Sequence, residues 1–183
     1  MEHDQFLIKK ESEIVTIPVT KEMLILAKEK ADEMGCLKHS MMKGERNVEG
    51  ILGELGALKF LTNAVGTASY QHDLKIGQIT IEVKTKRLTN KPRLDYDCTV
   101  YSYNTEQDCH IYLFAGVNPE HTLVWLNGFI SKDNFYKKAE FLPAGSERPL
   151  SNGKTLIYKR DNYVVKVNQL NKIDILKKIV LNK

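Results

Sequence analysis

The chain has 183 residues, a net charge of +4, and 42% apolar and 27% charged residues. That length fits one domain able to bury well over half of its unfolded surface, and this balance of apolar and mixed charged residues excludes a disordered chain. The mild positive charge permits nucleic-acid binding without demanding it, and no apolar run approaches the ~20 residues of a membrane-spanning helix. At the N-terminus Phe6-Leu7-Ile8 is too short for a signal peptide, and Lys9-Lys10-Glu11 follows at once. Three widely spaced cysteines, Cys36, Cys98 and Cys109, are odd in number and point to a reducing cytoplasm. Cys36 and His39 resemble half of a zinc site, but no second half follows, so both are read as structural or incidental.

Residues 13–17 read as a short strand ended by Pro18, and Thr20 caps a helix running to Met34, with Gly35 as its stop. Leu24, Ala27, Ala31 and Met34 form its core stripe. Residues 41–45 read as a loop into a second helix, N-capped by Asn47 and reaching to near Ala64. On it Val48, Ile51, Leu52, Leu55, Leu58 and Leu61 recur at helical spacing. Glu54 falls on the edge of that apolar arc, between Leu58 and Leu61, whereas Glu49 points to the opposite side. Gly50, Gly53 and Ala57 make a lane of small residues beside Glu54 that lets the backbone approach a sheet closely.

Two β-forming runs, 74–76 and 79–83, then flank Gly77-Gln78, and residues 94–101 are again rich in strand formers. The nearly continuous apolar run 110–117 reads as a buried central strand. A further strand over 122–130 carries Trp125, and Ser131 begins a short helix through Glu140, closed by Pro143-Ala144-Gly145. Runs 155–158 and 163–167 read as a hairpin across Arg160-Asp161-Asn162. Asn168 caps a last amphipathic helix with Leu170, Ile173, Leu176 and Val180 on one face. No linker separates domains. The chain reads as one α/β domain over 1–183: a strand-and-helix extension (1–46), a core (47–130) and a helix-hairpin-helix extension (131–183). Its mixed β-sheet carries the Gly77 hairpin, with helices flanking it.

That hairpin places chemistry. A glycine first in a two-residue loop suits a type II′ turn. The register then pairs Ile76 with Ile79, Lys75 with Thr80 and Leu74 with Ile81, and sets Asp73 across from Glu82. Two like charges ~5 Å apart at an effective dielectric of ~20 repel by on the order of 3 kcal/mol, an arrangement that makes sense around a divalent cation. Alternation puts Ile79, Ile81 and Val83 on a core face and Thr80, Glu82, Lys84 and Lys86 on a polar one. Mg²⁺ held by Asp73 and Glu82 would polarise a phosphate and its own water, and Lys84 would position that water and stabilise developing charge. Such chemistry suits phosphodiester hydrolysis. Lys84, Lys86, Arg87, Lys91 and Arg93 crowd the end of the strand, either as phosphate contacts or as a solvated loop of charges.

Asp73 followed by Glu82-Val83-Lys84 resembles the D…(D/E)xK signature of the PD-(D/E)xK nuclease superfamily, which includes restriction endonucleases, junction resolvases, and phage and repair nucleases. Gly50-Ile51-Leu52-Gly53-Glu54-Leu55-Gly56-Ala57 resembles the G-x-x-G-E-x-x-A helix that often precedes it. The run from Gly128 through Phe135 and Ala139 to Gly145 resembles the tail of small phage and bacterial nucleases of this superfamily. The resemblance implies a restriction-endonuclease-like core. It makes Asp73, Glu82 and Glu54 metal ligands and Lys84 the catalytic lysine, with Mg²⁺ as cofactor and Mn²⁺ as its substitute. DNA is the implied substrate, contacted by Lys86, Arg87, Lys91 and Arg93, and cutting of both strands by a single site favours a homodimer. His72 stands where the family has proline, the span between Ala64 and Tyr70 is too short for a full extra strand, and strand formers occupy 94–101 where a crossover helix is usual. Two rival readings are a non-catalytic nucleic-acid-binding protein with a nuclease-like fold, and a structural domain in which Lys75 and Lys84 neutralise the two acids. No ATPase or helicase motif points to a nucleotide cofactor.

Overall fold

The computed structural model describes residues 14–34, 47–69, 71–104, 107–150 and 153–178. Expectations for Gly35, Cys36, His39, residues 41–45, Tyr70 and Val180 lie outside these segments. In chain order the elements are β1 (Val15–Pro18), α1 (Lys21–Met34), α2 (Asn47–Phe60), β2 (Val65–Gly66), β3 (Leu74–Ile76), β4 (Ile79–Arg87) and β5 (Asp97–Tyr101). There follow β6 (Ile111–Val117), β7 (Leu123–Ser131), α3 (Lys132–Lys138), β8 (Glu140–Leu142), β9 (Glu147–Pro149), β10 (Thr155–Ile157), β11 (Asn162–Lys166) and α4 (Asp174–Lys177). Short 3₁₀ turns at Ser102–Asn104 and Val167–Gln169 follow β5 and β11.

The main sheet has six strands in the order β1-β7-β6-β4-β3-β2. β4 and β6 are parallel, and the sheet's other pairs are antiparallel, so the sheet is mixed as the sequence implies. Every residue of β6 is buried, which requires cover on both faces. On one face, α1 and α2 close a core containing Leu52, Leu61, Ile81, Leu113 and Leu126. On the other, Tyr112, Phe114, Trp125, Ile130 and Phe135 pack together, with the Tyr112 and Phe135 rings edge-to-face at 5.3 Å.

Glycines set the closeness of α2 to the sheet. A Cβ on Gly53 would lie 2.0 Å from Thr85 Oγ1, and one on Gly56 would lie 2.7 Å from Val124 Cγ1. Gly50, read from sequence as part of the same lane, meets nothing within 4 Å. Gly53→Ala is therefore expected to destabilise the protein by about 1–3 kcal/mol through overpacking against a short, branched side chain. Gly50→Ala is expected to be neutral, or stabilising by up to about 1 kcal/mol, because the helix gains a better former. Urea unfolding of the two variants checks the contrast.

The parallel crossover from β4 to β6 runs through β5 rather than a helix, in keeping with the strand formers at 94–101. β5 leaves the main sheet and joins a three-stranded sheet, β5-β11-β8. β1, from the N-terminal extension, pairs with β7 of the core, and β11, from the C-terminal extension, pairs with β5. The three sequence regions thus share their sheets.

Two C-terminal expectations are corrected. Runs 155–158 and 163–167 do not pair as a hairpin: β10 pairs with β9, and β11 lies between β5 and β8. Val164 and Val165 are both buried, so β11 is a central strand that needs a neighbour on each edge and core on each face. The last helix is also shorter, confined to Asp174–Lys177, and Asn168 sits in the preceding 3₁₀ turn. Asn171 exchanges backbone hydrogen bonds with Phe129 at 2.7 and 3.0 Å, which holds the chain extended there and delays the helix. Ile173 and Leu176 still reach the core.

Among the described residues no helix is long and apolar enough to cross a membrane. Cys98 and Cys109 are buried and free, and burial pushes their thiols up to about 12 and about 11.

Candidate active site

The hairpin register is the one its loop dictates: Ile76 faces Ile79, Lys75 faces Thr80 and Leu74 faces Ile81. Gly77 has φ 58° while Gln78 has no positive φ, as a type II′ turn requires. β3 is short and covers only Ile79–Ile81 of one edge of β4. At the next position the side chain of Asp73 takes over. Its backbone N–H donates to the Ile81 carbonyl at 3.0 Å, and its Oδ2 accepts the Val83 N–H at 2.7 Å. A carboxylate therefore finishes the ladder where the strand stops.

Glu82, next on β4, is 8% exposed. Its Oε1 accepts from Lys84 Nζ at 2.9 Å and from Gln107 Nε2 at 2.7 Å. Lys132 Nζ in turn donates to the Gln107 carbonyl, fixing the segment that enters β6. Glu54 reaches the same region from α2. Burial raises its carboxyl above the usual range, the nearby Lys30 opposes that shift, and the Glu82 charge adds to it. Asp73 is pushed up to about 8 by burial first, then by Glu82 and Glu54; the Val83 amide and Lys84 pull the other way. The helix and the hairpin thus bring Glu54, Asp73, Glu82 and Lys84 into one electrostatic neighbourhood at the uncovered edge of β4.

No family model and no curated protein matches this chain.

The basic residues expected at the end of β4 divide. Lys86 points inward: its Nζ donates to the Asp97 carbonyl at 3.0 Å, lies 5.5 Å from the centre of the Tyr96 ring, and has its pKa lowered by burial. Arg87 is about half exposed, with Nε 3.9 Å from Glu49 Oε1. Lys91 is exposed. Arg93 is exposed too, and pairs with Asp95 at 2.9 Å.

Three functional candidates escaped the sequence reading. Gln107 carries no signal beyond being an amide just before a buried strand. Glu49, on the far side of α2 from Glu54, is 5% exposed, and its Oε1 lies 3.1 Å from His121 Nε2. Asn127 is the extra residue of a β-bulge, since Phe114 pairs with Gly128 and Ala115 with Leu126. Glu49, Asn127 and Lys84 line a cavity of about 480 Å³ beside β4.

Among the described residues, no three His, Cys, Asp or Glu side chains are gathered closely enough to form a finished metal cage. What they offer is two carboxylates at the edge of a strand and a third on the adjoining helix. Mg²⁺ is commonly held by one or two carboxylates with water completing its shell. The all-oxygen donor set, and an acid that burial and its acidic neighbours leave uncharged near neutral pH, fit such an ion.

Proposed function

We propose that this protein is a divalent-metal-dependent endonuclease that hydrolyses DNA phosphodiester bonds, built on a restriction-endonuclease-like core. The observation that carries the reading is the pair Asp73, half-buried, and Glu82, buried, at the uncovered edge of β4, reinforced electrostatically by Glu54 and flanked by Lys84. The order of elements also favours it: a glycine-lined helix, an antiparallel hairpin, and a strand parallel to the hairpin's second arm.

Asp73 and Glu82 would hold the ion, with Glu54 as an additional or water-mediated ligand. A Mg²⁺ or Mn²⁺ bound there supplies Lewis-acid polarisation of the phosphate and a water of lowered pKa. Asp73 stays anchored through the Val83 amide, which fixes one ligand relative to the strand. Lys84 turns its ammonium toward the attacked phosphate and the incoming water, and stabilises the charge that builds on the phosphate oxygens. Gln107 orients the Glu82 carboxylate. Arg87 and Lys91 give salt-dependent contacts to neighbouring phosphates.

A second reading is favoured by one observation. Lys84 already pairs with Glu82 at 2.9 Å, so the acids could be a structural salt bridge. Lys84 also acts on Asp73, but as the smallest influence on it, outweighed by burial and by Glu82 and Glu54, which is why the metal reading is preferred.

The test is cleavage of single-stranded, duplex, nicked, flapped and four-way-junction DNA with Mg²⁺, Mn²⁺ or EDTA. Metal-dependent products that vanish with EDTA establish the activity. Binding without cutting under every metal condition moves the reading to a non-catalytic DNA-binding protein.

A further inference from the structure

The cavity beside β4 carries residues that the hydrolytic site does not use, among them Glu49, Tyr101, Tyr103 and Asn127. Its mouth carries Tyr101 and Tyr103, whose rings stack at 5.4 Å with a 9° interplanar angle and remain 42% and 57% exposed. An exposed, stacked tyrosine pair offers a flat aromatic face on which a further planar group can stack. Glu49 and Asn127, each 5% exposed, line its inner wall. Glu49 Oε2 and Asn127 Oδ1 have no hydrogen-bond partner among the described residues, and a buried acceptor left unpaired is unfavourable. The bulge that makes Asn127 an extra residue is the kind of feature that re-aims a side chain next to a functional site. Lys84, Lys86 and Arg87 supply positive charge to the lining, against Glu49 and Asp97.

These features select an occupant. It must bring a flat ring for the tyrosines, N–H or O–H donors for the two acceptors, and a negative group for the cations. A lipid meets too many polar atoms, and a free anion would leave both acceptors unpaired. A nucleotide brings all three. Inside a duplex, however, a base already has its donors paired and its faces stacked, so only an unpaired or extruded base offers them. A cavity of about 480 Å³ is also within the size range of small-ligand pockets.

We propose that this cavity takes one unpaired nucleotide of the substrate strand, its base stacked against the Tyr101–Tyr103 pair and its N–H edge on Glu49 and Asn127. This rests on the nuclease reading and narrows it: the enzyme prefers DNA with a single-stranded nucleotide next to the scissile phosphate. Lys84, which lines the cavity and bridges to Glu82, links the two sites.

The experiment uses 2-aminopurine as the probe base, placed either in a short single-stranded gap or fully paired in a duplex of the same length. Fluorescence titrations are run in EDTA, so that binding is read without cleavage. Wild type is expected to change the emission of the gapped probe and to bind it about tenfold more tightly than the paired one, the scale of one base–aromatic stack. Tyr101→Ala with Tyr103→Ala is expected to lose both effects, and Tyr101→Phe with Tyr103→Phe to keep them. Glu49→Gln is expected to weaken the gapped probe selectively. Thermal melts confirm that the exposed tyrosine changes leave the fold intact. Equal binding of the two probes by wild type, or unchanged selectivity in the alanine pair, overturns the proposal. Wild-type cleavage of plain duplex with Mg²⁺ is measured alongside. Cutting without selectivity leaves the nuclease reading standing and removes the cavity's role. Tyrosine-dependent selectivity without cutting under any divalent ion keeps the nucleotide site and removes the nuclease.

Discussion

Lys84→Ala is expected to lower metal-dependent DNA cleavage by about 10²–10³-fold, the loss seen when one positioned donor to a developing anion is removed. Lys84 is the basic side chain tied to the paired acids: its Nζ is 2.9 Å from Glu82 Oε1, and its side chain is only 17% exposed. In that confined position its charge acts on a bound phosphate with less screening than a surface lysine would. The loss should fall mainly on kcat, because the distal phosphate contacts remain with Arg87 and Lys91. The metal concentration giving half-maximal rate should change little, since Asp73, Glu82 and Glu54 are intact. Lys84→Met keeps the apolar stem and should be as inactive as alanine, which separates the charge from the packing. Lys84→Arg should recover only part of the rate, because a planar fork does not reproduce a compact ammonium. Wild-type cleavage by Lys84→Ala would move the chemistry elsewhere in the molecule.

The hairpin was legible because its information is local. A glycine able to take φ 58° at the first loop position sets the turn, and alternation then fixes every pair from Leu74↔Ile81 inward. The central strand was legible for a different reason: seven successive apolar or small residues, too few for a typical helix and rich in β-formers, suit a strand covered on both faces. What alternation could not show is that pairing stops at Ile81, so that Asp73 turns its carboxylate onto the Val83 amide rather than continuing the ladder. Gln107 on Glu82 was equally hidden, because that contact depends on the parallel β4–β6 register across a distant loop. The C-terminal misreading has the same origin. Runs 155–158 and 163–167 are close in sequence, yet Tyr158 Oη donates to Asp97 Oδ2 at 2.8 Å and β11 takes its partners from residues far away. Glu49 looked like a solvent-facing acid because helical periodicity sees one helix alone; the β6–β7 loop, through His121, is what buries it.

Removing the charge at Asp73 should stabilise the metal-free protein, although a buried hydrogen-bonded group is usually costly to replace. The folded-state carboxyl is pushed up to about 8, against an ordinary value of 3.8. Between those two pH values the folded protein holds a proton that the unfolded chain has lost. Stability therefore falls as pH rises through this window, is complete below it, and shows no further loss from this group above about pH 8. Each pKa unit is worth about 1.4 kcal/mol, so denaturant unfolding in EDTA should show wild type at least about 2 kcal/mol less stable at pH 8 than at pH 5. Asp73→Asn should flatten that profile and be the more stable protein at pH 8, since an amide oxygen can still accept the Val83 N–H. Glu82→Gln should shrink the slope, because the Glu82 charge is the second cause of the Asp73 shift. A divalent ion should act in the opposite sense on wild type alone. At one hundred times its dissociation constant it adds about 2.7 kcal/mol, and most effectively at high pH, where no proton has to leave Asp73. If the acids are instead a structural salt bridge with Lys84, both substitutions lower stability at pH 8 and added Mg²⁺ changes nothing. The sign of one stability difference, measured without any DNA, therefore separates a site arranged for a cation from a pair already neutralised by the protein.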